Sequence, residues 1–105
     1  MNEFLTWCDN RTAACHQRRQ ALAADQRIDE ARFEQIRANV YGIFRAVYAA
    51  LQNNPAALEK KLREIPAAWE DSLRQAREHN DEETAYIEQL KLDTAAEILR
   101  EVPHD

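Results

Sequence analysis

The sequence predicts an all-α domain, an up-down-up-down antiparallel four-helix bundle. Three observations lead there. Alanine, glutamate, arginine, leucine and lysine supply about half of the 105 residues, which is the composition of long helices. Glycine occurs once and proline three times, too few for tight hairpins, phosphate-cradling loops or βαβ crossovers. Apolar residues recur every three to four positions in four stretches separated by short polar breaks. Connections this short set neighbouring helices antiparallel. A three-helix core with the N-terminal helix packed outside is the alternative. The length predicts a single helical-bundle domain over residues 1–105.

Helix 1 is expected over about 3–24. Its stripe is Leu5, Cys8, Thr12, Cys15, Arg19 and Leu22, flanked by Phe4 and Trp7. Thr12 and Arg19 dilute that stripe, so this helix should dock least firmly. Cys8 and Cys15 share its face about 10.5 Å apart along the axis, too far for a mutual disulfide or a shared zinc. Both read as small buried apolar side chains.

Helix 2 is expected over about 30–52, with Asp29 as N-cap and Ile28 stapled to Phe33. Phe33, Ile36, Val40, Ile43, Phe44, Val47 and Leu51 form the strongest apolar stripe in the chain. Helix 3 is expected over about 55–79, started by Asn54 as cap and Pro55 at the first helical position. It carries Leu58, Leu62, Ile65, Trp69, Leu73 and Ala76 on one face and charges on the other. Pro66 falls inside it, and because the apolar phase continues, a kink near Pro66 is expected rather than a break. Helix 4 is expected over about 82–101, opened by an Asn80–Glu83 capping box and stopped by Pro103. Its main stripe is Ile87, Leu90, Thr94, Ile98 and Val102.

Charge narrows the partners. The formal net charge is −5, and residues 80–105 carry eight acids against two bases. A nucleic-acid binder would show a basic stripe, and the only basic cluster is Arg18-Arg19. The longest uncharged stretch, Ala46 to Leu58, is too short and too polar to span a membrane. The segment MNEFLTWCDN has neither the basic nor the apolar region of a secretory signal. No nucleic-acid or membrane partner is therefore expected, and the expected location is cytoplasmic.

Two helices carry more apolar or small surface than one bundle needs. On the far side of helix 2 from Val40 lie Ala31, Ala38, Gly42, Ala46 and Ala49, interrupted by Gln35 and Arg45. Small residues four apart let another backbone approach closely. Helix 4 has a second stripe of Ala85, Leu92, Ala96 and Leu99. Ala38, Gly42, Ala46, Ala49, Leu92, Ala96 and Leu99 are thus the candidate interface, with a homodimer as the expected state. A third feature is an edge of Arg37, Tyr41, Arg45 and Tyr48, with Trp7 nearby, whose residue types resemble interface anchors or a small ligand groove.

Catalytic chemistry is not visible. His16, His79 and His104 are far apart, and none sits on a helix at ligand spacing from another His or a Glu. The single serine, Ser72, has no histidine at helical spacing. No cofactor and no metal site are expected. The sequence therefore points to a non-enzymatic protein–protein interaction module, with a small-molecule or peptide-binding bundle as the alternative.

Overall fold

The computed structural model describes residues 2–103, so His104 lies outside it. Four helices form it: α1 (Glu3–Ala24), α2 (Ile28–Leu51), α3 (Pro55–Glu78) and α4 (Glu82–Glu101), with no strand among the described residues. The chain is an all-α four-helix bundle. α1 packs on α2 and α3 packs on α4. α2 joins the two hairpins by touching α4 and, less extensively, α3. The body is flat, 42 × 35 × 18 Å.

Contacts give the helix directions. Phe4 meets Tyr48, Asp9 meets Arg45 and Arg18 meets Glu34, so α1 and α2 run oppositely. Arg32 meets Glu83, Phe33 meets Tyr86 and Tyr41 meets Glu97, so α2 and α4 run the same way.

Local chemistry sets the ends. The Asn2 side-chain oxygen accepts the Phe4 and Leu5 amides at 3.0 and 3.2 Å, capping α1. Asn54 accepts the Ala57 amide at 3.2 Å with Pro55 opening α3, as the sequence indicates. α3 runs unbroken through Pro66.

The two hairpin turns share one geometry. Gln26 (φ 60°) and Asn80 (φ 54°) take the left-handed conformation that usually falls to glycine. The Arg27 amide then reaches the Leu22 carbonyl at 2.8 Å, and the Asp81 amide reaches that of Ala76 at 2.8 Å. This geometry corrects two expected caps. Asn80 is consumed as the left-handed residue, so Asp81 caps α4 by accepting the Thr84 amide at 3.1 Å. Those bonds from Thr84 hold the Asp81 carboxyl below its usual range. At the first turn the helix begins at Ile28, not 30. Arg27 holds the cap position with its side chain turned to Glu30 and making no capping bond, and Ile28 is 62 % exposed, so no staple closes.

A non-glycine residue at such a position costs about 1 kcal/mol. Gln26→Gly should therefore raise the unfolding free energy by up to about 1 kcal/mol, read as a higher denaturant midpoint. Asn tolerates this conformation better, so Asn80→Gly should gain less. An unchanged or lower midpoint for Gln26→Gly would deny the left-handed turn.

Burial departs from the predicted stripes in two helices. α1, expected to dock least firmly, makes the most extensive helix–helix contact in the chain. Phe4, Cys8 and Cys15, four and seven apart, are almost fully buried on α2. Their small sulfhydryls make a narrow seam that needs no broad apolar stripe. In consequence α2 is rotated. Ala31, Glu34, Ala38, Val40, Tyr41, Phe44 and Tyr48 are buried, with Glu34, Tyr41 and Tyr48 meeting Arg18, Trp7 and Phe4 of α1, while Ile43, in the middle of the predicted stripe, is 41 % exposed.

Candidate interaction surface

The Tyr/Arg edge of α2 faces α1 and α4, its tyrosines buried and its arginines half-exposed. Tyr41 and Tyr48 are buried. The Tyr41 hydroxyl donates to Glu97 at 2.7 Å, and burial together with this bond keeps the phenol protonated. The Tyr48 ring lies 4.7 Å from Phe4, and its hydroxyl accepts from Asn2 at 3.3 Å. Trp7 meets the Tyr41 ring edge-on at 5.7 Å, with the Arg11 guanidinium 5.3 Å from the Trp7 ring. Arg45 donates to Asp9 at 2.7 Å. Each member of this predicted edge thus finds its partner inside the chain, and α1 occupies the groove it would have lined.

Glu34 anchors the same seam. It is 4 % exposed and receives Arg18 Nε at 2.6 Å from α1 and Arg37 Nη1 at 3.0 Å from its own helix. Arg18 also approaches the Cys15 sulfur at 3.4 Å. Burial, then Glu34, raises the Cys15 thiol above its ordinary value. Burial and Asp9 push Cys8 up to about 11. Neither thiol is ionised near neutrality, so neither is an activated nucleophile. A carboxylate held by an arginine from each helix is a register device for the α1–α2 pair, since a slipped pairing would take Arg18 away and leave the buried Glu34 with Arg37 alone.

The outer face of α2 is different. Gly42, Ala46, Ala49 and Ala50 are exposed, as are Asn39 and Ile43, while Ala38, the fourth predicted interface residue of this helix, lies buried in the core. Gly42 has no neighbour within 4 Å of the position a Cβ would take. Glycine in mid-helix costs about 1 kcal/mol relative to alanine, and nothing inside the chain offsets it. Between Gln35 and Asn54 the only charged residues are Arg37 and Arg45, and both are held by acids of the seam. In a chain that is 31 % charged, this leaves an uncharged face along most of a 24-residue helix. Sequence reasoning found its small residues but assigned Ile43 to the core. The signal that could have placed Ile43 outside is the run of uncharged residues around it.

The α4 edge is less open. Leu92 and Leu99 are half-buried, Ala96 is exposed, and Leu99 packs against the core cluster. The two leucines are therefore partly covered within the chain.

Other polar groups do not converge. Ser72, His79 and Asp81 border one shallow depression between α3 and α4, the nearest approach to a catalytic set. However, the His79 Nδ1 is 2.8 Å from the Gln75 carbonyl, Asp81 is engaged by Thr84, and no hydrogen bond joins the three among the described residues. Glu88, 8 % exposed, accepts Lys91 at 3.0 Å, and Lys91 lies 5.8 Å from the Trp69 ring, beneath α3. A cavity of about 400 Å³ sits at one end of the bundle between Tyr48, Gln52, Leu58, Leu62 and Val102. Among the described residues no three His, Cys, Asp or Glu side chains are grouped to hold a metal ion. Among the described residues no helix is long and apolar enough to cross a membrane. No protein-family model matches the chain, and no curated protein or solved structure matches it significantly.

Proposed function

We propose that this chain is a non-enzymatic protein–protein interaction module that self-associates through helical faces. The observation that carries this reading is the outer face of α2, which is solvent-exposed, uncharged and centred on a glycine that nothing in the chain requires. Charged residues keep helix surfaces apart, so their absence along one open face supports contact with another protein. The half-covered leucines of α4, Leu92 and Leu99, are the secondary site for the same activity. Two buried cysteines without a disulfide suit a reducing compartment, which supports a cytoplasmic location.

The test is a charge placed on the open face. Ala46 is exposed, so Ala46→Glu should leave helix content and melting temperature nearly unchanged. It should convert an associated protein to a single chain of 12.2 kDa, read by sedimentation. Association unchanged by Ala46→Glu would remove the α2 face from the account and shift attention to Leu92 and Leu99.

A further inference from the structure

We propose that the occupant of the α2 face is the same face of a second copy of this chain, crossing antiparallel about a two-fold axis at Gly42. This rests on the self-association proposed above and adds its geometry. A two-fold interface brings one patch against itself, residue i meeting residue j and j meeting i, so the patch must hold no like charges that would face each other. The outer face of α2 meets that condition because it bears no free charge from Gln35 to Asn54. Gln35, Gly42 and Ala49 lie seven residues apart on one line of the helix, and Gly42 is its midpoint. The residue on the axis meets itself, where two backbones come closest, and there the chain has its only glycine.

Charge selects the antiparallel sense. A parallel pairing would place the two Arg32 side chains side by side, each bound to Glu83 of its own chain yet still 54 % exposed. An antiparallel pairing centred on residue 42 brings Arg32 opposite Gln52 of the other copy, where α2 ends with no basic residue in its last turn. There the cation meets the negative end of a helix dipole, and the two dipoles oppose. The available area also fits. Together α1 and α2 present about 30 Å of length and about 20 Å of width on this side. That is about 600 Å² of plan area, close to the roughly 800 Å² of accessible surface that each partner of a standard interface buries. The α1 strip beside α2, with Leu5, Thr12 and His16, adds only uncharged positions apart from Asp9, already bound to Arg45, and half-buried Arg19. The Leu92 and Leu99 edge, half-covered by its own chain, has less to offer.

The experiment combines sedimentation of the wild type, sedimentation of Gly42→Glu, and oxidation of a mixture of Gln35→Cys and Ala49→Cys proteins. Since nothing lies within 4 Å of a Cβ at position 42, Gly42→Glu should fold with wild-type helix content yet lose the dimer entirely. The Gln35→Cys and Ala49→Cys chains should cross-link to each other, because positions 35 and 49 face one another across the axis. The native Cys8 and Cys15 are fully buried and stay out of the exchange. A wild-type dimer that survives Gly42→Glu, or that links 35 to 35 and 49 to 49, overturns this geometry but leaves self-association standing. A wild type that remains a monomer overturns both.

Discussion

Phe44→Ala should destabilise the fold by about 3–5 kcal/mol, a large part of the 5–15 kcal/mol that holds a typical domain together. The Phe44 ring is fully buried, and it meets Trp69 edge-on with centroids 6.3 Å apart, where α2 touches α3. Truncation would open a cavity at the junction of the two hairpins. Ile43→Ala is the informative comparison. Ile43 precedes Phe44 in the chain and belongs to the same predicted stripe, but it is 41 % exposed. Its truncation should cost under about 1 kcal/mol. Urea unfolding of both variants tests the rotation of α2 directly. Equal costs would mean that α2 faces its neighbours with the stripe read from sequence, and that the outer face described above does not exist.

Glu34→Ala is expected to cost about 2 kcal/mol. Breaking a deeply buried ion pair costs more, about 3–5 kcal/mol, because the abandoned charge stays in a low dielectric. Here Arg18 and Arg37 keep 51 % and 42 % of their side-chain surface exposed, so both can rehydrate once the carboxylate is gone. The effect should concentrate on α1, since Arg18 is its tie to this part of α2. Amide exchange should therefore speed up in α1 more than in α3. Asp9→Ala, which breaks an exposed pair with Arg45 on the same seam, should cost under about 1 kcal/mol. A Glu34→Ala protein as stable as the wild type, with α1 equally protected, would show that the cluster contributes nothing to register.

The helices were legible because their punctuation is local. Asn54-Pro55, the polar break at 79–81 and Pro103 each act through the backbone of a few residues, and α3 and α4 begin where the sequence places them. The caps were less legible. With the only glycine at position 42, the left-handed turn residues had to be Gln26 and Asn80, and an Asn beside an Asp reads equally well as an N-cap. The phase of α2 was least legible of all. Alanine, tyrosine and isoleucine surround that helix, so its hydrophobicity alone does not say which arc is buried. The choice was made by α1, whose seam of Phe4, Cys8 and Cys15 is too small to announce itself as a packing stripe. Once α1 holds Glu34, Tyr41 and Tyr48, Ile43 and Gly42 are left outside. The candidate surface is therefore a consequence of tertiary packing.

Sedimentation equilibrium of the wild-type chain tests self-association most directly. Over a wide range of concentration, down to the low micromolar, a mass of twice 12.2 kDa is expected. A mass of 12.2 kDa at the highest concentration would contradict it.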